Sequence, residues 1–321
     1  MMAEEAQGDD DDDDIFVYMG GNQEVPDEVR RAKIHKSVKI IRARAFQWRG
    51  NLISVEFHDG VEIIEKGAFS GCSSLSGLIK LLGVKSIKEH AFQYCDGLTD
   101  VEFGDQLEAI ELSAFNYCKS LKKIRIPSVR TIGKWAFADC RELIVVQCGE
   151  ALRTIEEYAF DECPKLERVV LPLKDDMLRG VLFNGCTKLV TIDLVGGIHQ
   201  TVASLHMESW RSEVNNEINS INQTLPTISR GKTEVIQQWM RSVINRLNHY
   251  MAEHHNILME ATTLLELALW KANLDDNGGD RLEREGVRTT RGSRKRARKE
   301  ICVTSGASIV IKNVLPFLAL K

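Results

Sequence analysis

Among the residues able to do chemistry, the cysteines come first: there are eight in 321 residues. Six of them, Cys72, Cys95, Cys118, Cys140, Cys163 and Cys186, recur every 22 or 23 residues. A zinc or dithiol site gathers its sulfurs in C-x-x-C pairs, so that two donors leave one turn toward the same ion or each other. The chain contains no such pair, and the spacing is that of a structural repeat. These thiols, with Cys148, are expected to act as small buried hydrophobes. His249, Glu253, His254 and His255 raise a hydrolytic zinc site, but H-E-x-x-H needs two histidines one helical turn apart on one face. Adjacent histidines diverge, and a solvated helix face is expected. Gly231-Lys232-Thr233 has the ending of a phosphate loop, yet Pro226 stands where the first glycine is required and no strand precedes it. No Ser-His-Asp or Cys-His arrangement is legible from spacing. The chain therefore reads as a non-enzyme, with no metal and no cofactor.

Charge is the second chemistry. The net charge of −4 conceals polarised ends. Glu4, Glu5 and Asp9 to Asp14 form an acidic run expected to be a solvating tail. Residues 288–299 hold seven bases and no acid. Within them Arg294, Lys295, Arg296, Arg298 and Lys299 suit either nuclear import or contact with nucleic-acid phosphates; a solvated tail is the alternative. The chain opens without a basic and then apolar leader. It also lacks a run near the ~18 apolar residues of a membrane span. A cytoplasmic or nuclear location with reduced thiols is expected, and no membrane partner.

The elements that position these residues follow from self-similarity. Phe46, Phe69, Phe92, Phe115, Phe137, Phe160 and Phe183 are 22 or 23 residues apart, and alanine precedes all but the last. Cysteine follows three residues later from the second unit onward, with Arg49 in the first. Isoleucine or leucine stands five before each Phe and leucine six after, with aliphatic residues nine and, except at Lys80, apolar residues eleven after. Each unit is a coil that cannot bury its own apolar edge; stacking coils turns those edges into one core. Alternation such as Val101-Glu102-Phe103 marks the strand of each coil. Seven strands at roughly 4.8 Å spacing make a stack only about 30 Å tall.

The A-F-x-x-C-x-x-L unit, seven times over roughly residues 38–195, resembles the BspA-like leucine-rich repeat. The resemblance implies a curved right-handed solenoid used for protein contact and supplies no catalytic residues. The family's bacterial members are exported surface proteins, a role this chain's lack of an export signal does not favour. With its helical C-terminal segment the chain also resembles eukaryotic, diatom-type repeat proteins. The fold class expected is an α+β repeat solenoid of about seven 22–23-residue coils followed by an α-helical hairpin.

The chain divides accordingly: an acidic tail (1–14), an N-terminal cap (15–37), the solenoid (38–202), a helical hairpin (203–274), a linker with the basic block (275–300) and an apolar segment (301–321). Trp210, Val214, Ile218, Ile221 and Leu225 form the stripe of one amphipathic helix. After Pro226 and Gly231 a second is expected from Thr233, its N-cap, to about Asn273, where Asp275 to Asp280 opens a linker. Its length invites a homodimeric coiled coil as well as a hairpin. The outward strand positions form the candidate site: Glu56, Glu102, Lys123, Arg125, Arg168 and Asp193, with aliphatic Ile144, Val145, Val170 and Val190 toward the C-terminal end. Such a face suits protein recognition, unless the hairpin folds over it.

Overall fold

The computed structural model describes residues 15–226 and 231–282, of which 273–282 are described in backbone only. The acidic run, the basic block and the 301–321 segment lie outside the described residues. The chain falls into two compact units, Met1–Tyr250 and Met251–Lys321.

The first unit is the solenoid with its helices. One row of parallel strands begins with β1 (Ile15–Tyr18), β2 (Arg31–Ile34) and β4 (Ser54–Glu56). It resumes with β6 (Gly77–Leu81), β8 (Leu98–Phe103), β10 (Lys123–Ile126), β12 (Val145–Cys148), β14 (Arg168–Leu171) and β15 (Thr191–Leu194). A second row is built from two-residue strands: β3 (Ile40–Ile41), β5 (Ile63–Ile64), β7 (Ser86–Ile87), β9 (Ala109–Ile110), β11 (Thr131–Ile132) and β13 (Thr154–Ile155). A single bridge from Ile155 to Leu178 extends this row into the last coil. Parallel strands one coil apart are what the 22–23-residue period requires.

Between the rows lies the phenylalanine column. All seven rings are fully buried, and neighbours stack with centroids from 4.8 Å (Phe46–Phe69) to 5.8 Å (Phe160–Phe183). The turn around each Phe forms a third ladder. Arg44, Phe46 and Trp48 donate their N–H groups to Lys66, Ala68 and Ser70 of the next coil, while Ala45, Gln47 and Arg49 close local turns. That alternation demands positive φ two residues on either side of the Phe, as at Trp48 (61°), Tyr94 (60°) and Tyr117 (60°). The inter-coil bonds offset the roughly 1 kcal/mol such a residue costs.

The cysteine column is more than filler. The thiols of Cys72, Cys95, Cys118, Cys140, Cys163 and Cys186 each donate to the carbonyl of the previous coil's phenylalanine, at 3.0–3.3 Å. A methyl group would fit the space and leave that buried oxygen without this donor. In the first coil Arg49 takes the slot and clamps the N-terminal cap, donating to Val25 O at 2.7 Å and pairing with Asp27 at 3.0 Å. Tyr18 closes that end of the column against Phe46, their centroids 5.1 Å apart.

One coil departs from the expected register. Leu78 was expected inward and Ile79 outward, with Lys80 breaking an inward column. Instead Ile79 and Leu81 are buried, while Leu78 is 54% exposed. A bulge between Gly77 and Leu78 shifts the pairing by one residue, and Gly77 adopts φ +79° to make it. One inserted residue reverses inside and outside along a strand.

The helices are α1 (Gly197–Ala203), α2 (Glu208–Thr224) and α3 (Lys232–Leu282). α2 and the first part of α3 form the expected hairpin. Trp239 Nε1 donates to Glu217 O at 2.8 Å, Arg246 pairs with Glu213 at 3.2 Å, and Trp210 stacks on Tyr250 at 5.2 Å. α3 runs past Asp275 to Asp280, where a linker was expected. Two glycines cost a helix about 1 kcal/mol each, far less than a proline would. Thr233 is not the N-cap: α3 already includes Lys232, and Thr233 Oγ1 accepts a bond from Leu182 N at 3.0 Å.

Candidate functional site

The hairpin does not fold over the strand face; within the first unit it closes the end of the stack. The last coil presents the backbone groups that an eighth coil would pair. Side chains meet them instead. Lys232 Nζ donates to Leu189 O at 2.7 Å, and Gln237 Nε2 to Leu178 O at 2.7 Å. Leu182 N donates to Thr233, and Ile192 N to Asn222 Oδ1 at 2.9 Å. Arg241 adds ion pairs with Asp175 and Asp176. Lys232 is fully buried, and the loss of hydration lowers its ammonium pKa.

Within the described residues of the first unit, the hairpin therefore does not cover the outward residues of the long strands. Register gathers them into two rows. Lys123 pairs with Val145, Val145 with Arg168, and Arg168 with Thr191; beside it Arg125 pairs with Gln147, Gln147 with Val170, and Val170 with Asp193. Toward the N-terminal side Lys123 meets Asp100, which pairs with Leu78, and Glu102 meets Lys80. Glu56 lies on β4, ion-paired with Lys33 at 2.9 Å. Arg168 and Asp193 form an ion pair. Val145, Val170 and Ile144 are half-buried, and Val190 is exposed. The predicted face is thus brought together from β8 to β15, with Glu56 apart on the three-stranded sheet of β1, β2 and β4.

At the bulge the face is hollowed. A cavity of about 420 Å³ is lined by Leu78, Asp100, Glu102, Asp105, Lys123 and Arg125, among others. Across the strands it runs from Leu78 on β6 over the acids at β8 to the bases of β10. Leu78, Asp100 and Asp105 were not among the predicted site residues. Gly77 within a strand pattern was the available signal, since an interior strand glycine marks a bulge.

A second exposed feature was also missed. Trp48, Tyr94 and Tyr117 continue outside the solenoid as a ring ladder, Tyr94 and Tyr117 at 5.0 Å and Trp48 leaning across Gly71 to reach Tyr94 at 6.4 Å. Trp135 and Tyr158 stack at 5.9 Å, with Lys134 Nζ 4.4 Å from the Trp135 ring centre. These rings occupy the positive-φ positions, and the repeat column itself was the signal.

Six copies of the BspA type leucine-rich repeat model match residues 28–143 and 108–220, the span that holds these ladders. The chain belongs to the BspA-type leucine-rich repeat family. Solved structures of bacterial leucine-rich repeat proteins resemble it in part. The T. pallidum leucine-rich repeat protein is 24% identical, covering 53% of this chain and 77% of its own at TM-score 0.37. A leucine-rich repeat protein of Bacteroides ovatus is 21% identical over 51% and 60%, at TM-score 0.28. The pneumococcal vaccine antigen PcpA is 19% identical over 57% and 67%, at TM-score 0.31. No curated protein matches the chain.

The cysteine column of this BspA-type repeat is buried, which disfavours the thiolate form. Burial pushes the Cys72 and Cys148 thiols up to about 12 and raises those of Cys95, Cys118, Cys140 and Cys163 as well. Thiolates are the reactive form. Among the described residues no three His, Cys, Asp or Glu side chains could hold a metal ion, and no helix is long and apolar enough to cross a membrane. His254, expected on a solvated face, is buried: it lies on the helix line of Tyr250 and Ile257 rather than with His249.

Proposed function

We propose that this leucine-rich repeat protein is a non-enzymatic scaffold that binds another protein through the outward face of its long strands, with α3 as a second contact surface. The observation that carries the reading is exposed Leu78 at one edge of a hollow, followed across the strands by Asp100, Glu102 and Asp105 and then by Lys123 and Arg125. An apolar edge followed by acids and then bases suits a protein segment, which would bury one aliphatic side chain against Leu78 while the charges set its direction. The cap supports the same reading, since it stands at the end of the stack and leaves the face open.

The test is affinity capture with the full chain, then the same capture with Leu78→Glu and, separately, Arg125→Glu. A partner of this face is expected to bind at least ten-fold more weakly to both, with circular dichroism unchanged. Partners indifferent to both substitutions would remove the proposal.

A second reading rests on the seven bases of residues 288–299. They support a nuclear or nucleic-acid-associated role, within a cytoplasmic or nuclear location. Binding to duplex DNA should then weaken steeply between 50 and 200 mM salt, as roughly six phosphate contacts would dictate; absent or salt-indifferent binding counts against it.

A further inference from the structure

A row of parallel strands has a raw edge at each end, and an uncovered edge is a template on which another chain can lay a strand. The two ends of the long-strand row are β1 and β15. At β15 a carboxamide meets the edge, Asn222 Oδ1 accepting from Ile192 N. At β1 another carboxamide does more.

The ladder fixes which way each backbone group of β1 faces. β1 runs parallel to β2 with Tyr18 opposite Ile34, and His35 N donates to Tyr18 O at 2.9 Å. Tyr18 and Phe16 therefore turn their amide groups toward β2. Successive residues of a strand alternate in this respect, so both backbone groups of Val17 and the N–H of Met19 face away from the stack. One residue of an added parallel strand would donate its N–H to Val17 O and accept from Met19 N–H. Gln23 does both. Its Nε2 donates to Val17 O at 3.2 Å, and its Oε1 accepts from Met19 N at 2.5 Å. A carboxamide holds a donor and an acceptor side by side, as a strand's backbone does. Gly20 and Gly21, at φ 78° and 65°, turn the chain back sharply enough to bring Gln23 there.

We propose that Gln23 is an edge guard, a side-chain stand-in for a preceding coil that keeps strands of other chains from joining the stack at β1. Without it, Val17 O and Met19 N–H would join Ile15 O and Val17 N–H in one unbroken run of outward groups. Val17, 42% exposed beside them, would add apolar ground for the incoming strand. The inference is independent of the strand face and of α3.

In a solution of the full chain, the strand on offer is β1 of a second copy. The native protein and Gln23→Ala are compared by light scattering across the micromolar range. Thermal unfolding and exchange of the Met19 amide are read on the same samples. Gln23→Ala should unfold cooperatively, exchange Met19 roughly ten-fold faster and reach at least twice the native mass as concentration rises. Val17→Pro removes an outward N–H that β2 does not use, so Gln23→Ala with Val17→Pro should return to the native mass. Gln23→Ala holding the native mass at every concentration would overturn the proposal, leaving Gln23 a local loop contact. Association that persists with Val17→Pro would overturn it too, since the contact would then lie elsewhere or arise from misfolding.

Discussion

A phenylalanine in the middle of this stack touches the ring before it and the ring after it, so its removal is felt in three coils. Phe115→Ala should cost about 3–5 kcal/mol, the range for an aromatic cavity that neighbours cannot fill, read as a lower urea midpoint. Arg125→Ala, exposed on the strand face, should stay within about 0.5 kcal/mol. The thiols make a second residue-scale prediction. A group whose pKa is raised by folding binds protons more tightly when folded, so its contribution is complete below the unfolded value and lost as pH rises. With ordinary thiols near 9 and Cys72 and Cys148 held near 12, stability should fall across pH 9 to 12. Lys232, lowered by burial, acts in the opposite sense but is one group against six. Urea titrations at pH 7.5, 9.5 and 10.5 should show a monotonic decline; a midpoint indifferent to pH would contradict the buried column.

At the scale of elements, strands and turns are satisfied coil by coil, which makes the two ends the weak points. Tyr18 and Arg49 serve one end, and Lys232, Thr233, Gln237 and Asn222 the other. Truncating Thr233 or Asn222 to alanine leaves Leu182 N or Ile192 N without its partner, at about 1–3 kcal/mol each. Hydrogen exchange should then accelerate at Leu182 and Ile192 while amides near Phe92 keep their protection. Uniform acceleration throughout the solenoid would mean that the cap is not a separable element. Inter-coil ion pairs such as Lys66–Glu89 and Lys134–Glu157 are solvent-facing and screened by water, so each adds little to stability. They align the coils more than they hold them.

At the scale of the whole molecule, the chain is a platform closed at both ends of its stack, followed by a long helix. A stack of like coils presents a regular face, and on the proposed reading its binding ground is an irregularity in the repeat. Here that irregularity is the extra residue at Gly77, which exposes Leu78 and hollows the face. Deleting Gly77 should remove the extra residue yet keep Ile79 and Leu81 inward and Leu78 opposite Asp100 on the outer face, so partner binding and cooperative unfolding should both persist, as binding and thermal denaturation of the same variant would read.

The repeat was legible in the residues because stacking places each position against its own copy, so the selection for Phe, Ala and Cys recurs at the coil period. The fold class, the coil number, the buried columns and the direction of most strand side chains follow from that alone. Three things did not. The Gly77 bulge preserves the 23-residue spacing while shifting which residues face out, and periodicity is blind to a compensated shift. The place of the hairpin depended on which apolar stripe met which surface; only the folded chain puts Lys232, Thr233 and Gln237 on the open backbone of the last coil. The hydrogen-bonding role of the cysteines required the distance from each sulfur to a carbonyl 25 or 26 residues away. Spacing in a chain records which positions repeat, and only tertiary structure decides what each one touches.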